Sequence, residues 1–249
     1  LKLMVRRELI RLNKVSKFYQ MGDEVVKALN DVDFKVFEGE FVAVMGPSGS
    51  GKSTAMNLIG SLDVPTKGTI YLDGQDISKL TESELAQIRG EKIGFIFQSF
   101  NLIPNLTAKE NVMLPMMFLG IDIEERVSRA EELLELVDLG NRMDHYPNQL
   151  SGGQMQRVAI SRSLANDPEV ILADEPTGNL DTKTGQVIIE FLEKFNRDGK
   201  TVIMVTHESE LAKKYADVVY WLKDGKLDKV TKKRKNKNYA RRKKSLRRK

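Results

Sequence analysis

Cysteine is absent from the 249-residue chain, which excludes disulfides, thiolate metal sites and thiol chemistry. The absence also suits a reducing compartment. Two histidines, His145 and His207, are too few for a multi-histidine metal centre. Long apolar runs are missing as well. The longest nearly apolar stretch, 112–121, has ten residues and is interrupted by Pro115, whereas a membrane-crossing helix needs about 20. The opening segment, Leu1-Lys2-Leu3-Met4-Val5-Arg6-Arg7, lacks the apolar core of a signal peptide. These absences predict a soluble, cytosolic protein. What is present, 41% hydrophobic and 30% charged side chains, suffices to bury a sizeable core.

Acidic side chains are missing from one region. Residues 231–249 contain 12 Lys or Arg and no Asp or Glu, so the overall charge of +5 conceals a body with 28 basic against 35 acidic residues. This basic tail has little to bury and is expected to be disordered in isolation. A solvated end, attraction to anionic lipid and RNA binding all suit its charge.

The body alternates two kinds of segment. Short apolar runs at 41–45, 93–97, 170–173 and 201–205 read as strands buried on both faces, as in a parallel sheet. Helical patterns lie between them. Thr81-x-x-Glu84 and Asp122-x-x-Glu125 resemble capping boxes, and after the second Val127, Ala130, Leu133, Leu134 and Val137 repeat at helical spacing. Asp73-Gly74 and Asp224-Gly225 read as hairpin turns. The alternation predicts an α/β fold. The first 40 residues, with Leu12, Val15, Phe18, Val32, Phe34 and Val36, read as antiparallel strands laid against it.

Gly46-Pro47-Ser48-Gly49-Ser50-Gly51-Lys52-Ser53-Thr54 follows the first of these strands and precedes a helical segment at 55–59, which is the P-loop pattern in its required context. Its glycines let successive N–H groups converge on one anion, and the helix N-terminus adds a favourable dipole. Lys52 can neutralise β- and γ-phosphates, and the Ser53 hydroxyl can ligate Mg²⁺. The strand at 170–173 delivers Asp174 and Glu175 at its C-terminal end, where ligands sit in open parallel sheets. Such a pair also suits ordinary surface charge. Beside a P-loop it suits hydrolysis: Asp174 holding Mg²⁺ through water and Glu175 orienting or deprotonating the attacking water.

Leu150-Ser151-Gly152-Gly153-Gln154 supplies a second phosphate-binding helix end, with Ser151 as the cap of a helix at about 154–165 and two glycines whose amides stay open. One phosphate needs one such cradle, so two in a chain suggest two chains each contributing one. With the P-loop and Asp174-Glu175, this motif makes the sequence resemble the nucleotide-binding subunit of an ABC transporter over roughly residues 8–230. The resemblance implies a P-loop NTPase ABC-type ATPase core with a parallel sheet, an N-terminal antiparallel β subdomain, and an inserted α-helical subdomain at about 99–150. Residues 1–7 would be a leader and 231–249 the tail. The cofactors implied are ATP and Mg²⁺.

The resemblance also assigns single residues. Gln98 matches the glutamine that senses Mg²⁺ and links to the membrane partner. Asn179-Leu180-Asp181 matches the D-loop, although the family more often has Ala or Gly before Leu. His207 matches the switch histidine at the γ-phosphate. Tyr19, with Phe18 beside it, sits where the family stacks an aromatic on adenine, an interaction of about 1–3 kcal/mol. The stretches 101–108 and 147–149 resemble the macrolide-exporter and lipoprotein-release branch.

Implied partners are a second copy on ATP binding and a separate transmembrane permease, with the chain peripheral on the inner face of the cell membrane. A non-transport ATPase signalling to a permease-like partner in envelope remodelling is the alternative. Nucleic acid is disfavoured, because ABC proteins of that kind usually carry two cassettes or a long coiled-coil insertion. The methionine-rich segment 111–120 has two readings, internal packing or an adaptable groove for a permease helix.

Overall fold

A computed structural model describes residues 6–233. Most of the basic tail and the first five residues therefore lie outside the described residues. Two sheets organise the chain. The first is antiparallel, built from β1 (Glu8–Met21), β2 (Glu24–Phe37), β4 (Lys67–Leu72) and β5 (Gln75–Asp76) in the order β2-β1-β4-β5. The second contains β3 (Phe41–Met45), β6 (Ile93–Ile96), β7 (Val170–Asp174), β8 (Thr201–Val205), β9 (Val218–Lys223) and β10 (Lys226–Lys232) in the order β10-β9-β3-β8-β7-β6. All its neighbours run parallel except β10, which pairs antiparallel with β9.

Side chains alternate across a strand, so β3 feeds two cores. Val42 and Val44 join Leu12, Val15, Val32 and Ile70 of the antiparallel sheet and Leu58 and Ile59 of α1 (Lys52–Ile59). Phe41, Ala43 and Met45 face the other way. They join a cluster formed by α3 (Ala108–Phe118), α4 (Ile123–Leu136), α5 (Gly152–Leu164) and α6 (Thr182–Arg197). Of the two remaining helices, α2 (Glu82–Lys92) adds Leu85 and Ile88 to the first core and α7 (Ser209–Tyr215) adds Ala212 to the second. Each fully buried aliphatic side chain contributes roughly 1.5–3 kcal/mol. The near-continuous apolar character of β3, β7 and β8 follows from burial on both faces.

Local signals set the element ends. Asp73 and Gly74, and likewise Asp224 and Gly225, all have positive φ (51°, 78°, 48° and 72°), as a type I′ hairpin turn requires. Thr81 with Glu84 forms a complete capping box, and so does Thr107 with Glu110. Asp122 does not: it precedes α4 without a side-chain cap hydrogen bond. Pro115 lies inside α3 without ending it. At the C-terminal side, β10 extends through Thr231 and Lys232, and Lys233 N–H donates to Asp217 O at 2.8 Å. The strand thus takes in residues that charge composition alone assigns to the tail. Arg6 and Arg7, assigned to the leader, pair with Glu40 and with Asp73 and Glu169.

Candidate nucleotide-binding site

The glycine-rich loop turns out of β3 because the backbone there has no room for side chains. A Cβ on Gly46 would lie 2.1 Å from Leu222 O, and one on Gly51, at φ 96°, 2.4 Å from Ala28 O. Gly51 is also the N-cap of α1 and offers no side-chain acceptor, and no acid stands in the first turn. The first N–H groups of the helix, those of Lys52, Ser53 and Thr54, are therefore left for an external acceptor. Lys52 Nζ donates to Gly46 O at 3.0 Å and Pro47 O at 2.8 Å, which holds the ammonium across the loop. Pro47, Ser48, Gly49 and Ser53 are exposed and Ser50 is buried.

Strand order then gathers groups distant in sequence. Because β8 lies between β3 and β7, the loop after β3, Asp174 at the end of β7 and His207 after β8 issue from one edge of the sheet. The Asp174 carboxyl is raised above its ordinary pKa by burial and by the neighbouring Glu175, with Lys52 opposing. Glu175 stands at φ 42°, a left-handed conformation that costs a non-glycine residue roughly 1–2 kcal/mol. Its N–H donates to Val205 O at 3.0 Å, so the strained turn is tied to β8. His207 Nδ1 lies 3.4 Å from Glu175 Oε2.

Gln98, just beyond β6, is tied to the loop after β7. Asn179 Nδ2 donates to Gln98 O at 2.9 Å, and Gln98 Nε2 to Asn179 Oδ1 at 3.5 Å. Asp181 caps α6, accepting from the N–H groups of Lys183 and Thr184, and these bonds together with the Thr184 hydroxyl lower its pKa. Tyr19 donates its hydroxyl to Asp63 Oδ2 at 2.9 Å.

Ser151 is the N-cap of α5, in a capping box with Gln154: Gln154 N–H to Ser151 Oγ at 3.3 Å and Ser151 N–H to Gln154 Oε1 at 2.8 Å. The amides of Gly152 and Gly153 begin the helix and have no intrahelical acceptor. A Cβ on Gly153 would lie 2.3 Å from Thr184 Cγ2, so only glycine lets this helix end approach α6. A Cβ built on Gly152 or Gly153 would meet Phe100, Asn179, Leu180 and Thr184.

Several supporting residues carry no motif. Gln156, fully buried, donates to Pro176 O at 2.7 Å. A polar residue on the apolar face of a helix is the signal that could find it. Arg162 donates to Phe100 O at 2.8 Å and Asn101 O at 2.5 Å, and burial lowers its pKa. Thr177 donates to Glu208 Oε1 at 2.7 Å, joining the loops after β7 and β8. A groove of about 890 Å³ runs beside this region, lined by Leu62, Phe95, Phe97, Leu114, Pro115, Phe118, Leu119 and Arg162. The methionine-rich segment is divided by it: Met116 is buried in the core, whereas Phe118 is 79% exposed at the groove.

The model of the ABC transporter family matches residues 29–178. An ABC transporter ATP-binding protein of Thermotoga maritima is 54% identical over 89% of this chain and 94% of its own. The macrolide export ATP-binding/permease protein MacB of Brucella melitensis is 48% identical over 93% of this chain, which spans 36% of that longer protein. A solved dimer of the ATP-binding cassette MJ0796 bound to ADP and Pi superposes with a TM-score of 0.85 at 50% identity, covering 92% of this chain and 100% of that one. MJ0796 is from Methanocaldococcus jannaschii. The chain belongs to the ABC transporter family, as one of its ATP-binding subunits.

Proposed function

We propose that the chain hydrolyses ATP as a homodimer and drives a separate membrane permease. The observation carrying this reading is the edge formed by β3, β8 and β7, from which Lys52, Asp174, Glu175 and His207 all issue. Amides of Gly49–Thr54 and the Lys52 ammonium bind the phosphates, and Tyr19 receives the base. Glu175 takes a proton from water that His207 and the γ-phosphate keep in line. Ser151–Gln154 of a second copy closes the site, an arrangement that suits a chain with two phosphate-binding helix ends and a relative, MJ0796, solved as a dimer.

Ser53, Asp174 and Gln98 would hold Mg²⁺, which neutralises phosphate charge when bound. Their chemistry fits it. Asp174 is a partly buried carboxylate beside that of Glu175, so a cation there offsets their repulsion. Ser53 and Gln98 add hydroxyl and amide oxygens, the hard donors that Mg²⁺ accepts beside phosphate and water. Light scattering tests the dimer: Mg²⁺ with ATP should double the mass of a hydrolysis-deficient Glu175→Gln chain, and ATP with EDTA should not. An unchanged mass with Mg²⁺ and ATP sinks the reading.

Among the described residues no helix is long and apolar enough to cross a membrane. On this reading the permease is a separate chain, and the 890 Å³ groove is its docking site. Residues 8–230 are the nucleotide-binding domain, and about 99–150 the helical segment that meets the permease, on the cytoplasmic face. Phe118→Glu should abolish permease-dependent stimulation of hydrolysis and leave the basal rate intact. Met116→Glu instead places a charge in the core and should unfold the chain, at a cost of several kcal/mol. Full stimulation of the Phe118→Glu chain in proteoliposomes would assign the exposed face elsewhere.

Residues 234–249 retain ten Lys or Arg and supply the contact to anionic lipid beside the permease. Deleting 234–249, rather than 231–249, leaves β10 whole. The deletion should keep ATP hydrolysis and lose salt-sensitive binding to phosphatidylserine vesicles, each basic residue having contributed about 1 kcal/mol at most. Equal binding with and without the segment would reduce it to a solvated end.

A further inference from the structure

We propose that Asp63, with Lys17, is a positioning residue of the base site: it fixes the Tyr19 ring, so that the phenol hydroxyl contributes to nucleotide affinity without touching the nucleotide. The inference rests on Tyr19 being the platform for the base.

Packing alone does not fix this ring. Tyr19 lies near the tip of the β1–β2 ribbon, and Gln20, Met21 and the stretch 23–27 beyond it are exposed. Val26, its cross-strand partner, is one of these exposed residues. A platform with so few apolar neighbours needs polar tethers. Asp63 supplies them from the loop that follows α1. Its Oδ2 accepts the Tyr19 hydroxyl at 2.9 Å, and its Oδ1 accepts Lys17 Nζ at 2.5 Å and Val64 N–H at 2.7 Å. Lys17 Nζ also donates to Val64 O at 2.9 Å, and it lies 5.0 Å from the centre of the Tyr19 ring. Both carboxylate oxygens and the ammonium are thus engaged in holding one phenol.

The tether also ties two parts of the site together. The Thr54 side chain lies near the Tyr19 hydroxyl, and Thr54 belongs to the first turn of α1, whose amides face the phosphates. Asp63 stands just past the other end of the same helix. The base platform is therefore referenced to the phosphate cradle at both ends of α1. Burial, then Asp63, raise the phenol pKa, which keeps the hydroxyl a donor. Phe18, the neighbouring aromatic, has no such tether; its ring has Lys27 Nζ 6.0 Å from its centre. This difference selects Tyr19 over Phe18.

The test compares Mg-ADP with Mg-pyrophosphate, which shares the phosphates and lacks the base, by calorimetry on the full chain. Tyr19→Phe and Asp63→Asn should each weaken ADP about five-fold, the scale of one hydrogen bond, with pyrophosphate affinity held within about two-fold. The double variant should lose no more than either single one, because both act on the same bond: the amide offers the phenol only a neutral acceptor in place of the carboxylate, and Phe removes the donor. Tyr19→Ala should weaken ADP about ten-fold or more through the lost ring. If Tyr19→Ala weakens ADP but neither Tyr19→Phe nor Asp63→Asn does, the tether is overturned and the platform stands. If Tyr19→Ala has no effect, the platform reading itself fails. Equal losses for ADP and pyrophosphate, or multiplicative losses in the double variant, overturn the tether too. Should Asp63→Asn lower Tm, Tyr19→Phe, which deletes one oxygen from a partly exposed ring, decides.

Discussion

The Glu175→Gln chain is expected to bind ATP and to release phosphate about 10²- to 10⁴-fold more slowly than the unaltered chain, the range for loss of a general base. The amide keeps the size and shape of the carboxylate and cannot accept the proton of the attacking water. The turn that presents the side chain should survive, because it is held by the backbone: Glu175 N–H to Val205 O at 3.0 Å and Gly178 N–H to Glu175 O at 3.0 Å. Lys52→Ala should differ in kind, losing productive ATP binding, because the β- and γ-phosphates lose their point counter-charge. His207→Ala should slow turnover with little loss of affinity. The imidazole sits 3.4 Å from Glu175, whereas binding on this reading rests on the loop amides and Lys52. Phosphate release and equilibrium ATP binding, measured on the three variants, separate these roles. Normal turnover by Glu175→Gln removes Glu175 from the base role, and a dominant affinity loss in His207→Ala argues against a γ-phosphate contact.

A mixed dimer of Ser151→Arg and Lys52→Ala chains should retain one ATP where each homodimer retains none. The reasoning follows from the two-fold symmetry of a closed dimer. If ATP is held between the P-loop of one copy and Ser151–Gly153 of the other, Ser151→Arg damages the site on its partner's P-loop and Lys52→Ala damages its own. In the mixed dimer both lesions fall on one site and leave the other whole. The structure makes Ser151→Arg a local lesion: the side chain caps α5 through Gln154 N–H, and the cap is worth about 1 kcal/mol, a small fraction of the fold's stability. Glu175→Gln is added to every chain so that trapped ATP can be counted without turnover, and two affinity tags isolate the mixed species. Retention of no ATP, with dimer formation verified by crosslinking, would return Ser151 to its own chain's site.

Much of this protein was legible in short windows of sequence because the relevant physics is local. Turn chemistry needs two residues: Asp73-Gly74 and Asp224-Gly225 have the positive φ values that hairpins demand. The glycine-rich loop needs nine, and its steric requirements at Gly46 and Gly51 are those of its own spacing against whatever packs over it. Ser151 and Gln154 form their capping box within four residues. Even here local rules were incomplete, since Asp122-x-x-Glu125 has the same pattern as Thr81-x-x-Glu84 and does not close.

Only the tertiary structure decided which of these pieces meet. Nothing in the apolar runs specifies that β8 lies between β3 and β7, yet that order brings His207 to Glu175 and Lys52 to bear on Asp174. The tethers Asn179–Gln98, Thr177–Glu208 and Asp63–Tyr19 span 81, 31 and 44 residues, and no local pattern pairs their members. Met116 and Phe118 are equally apolar in sequence, and one is core while the other is surface. A helix fixes the angle between positions two apart, but which side is dry depends on where neighbouring elements pack. Burial and proximity are properties of three-dimensional neighbours, whereas capping, turn and loop chemistry are properties of adjacent residues.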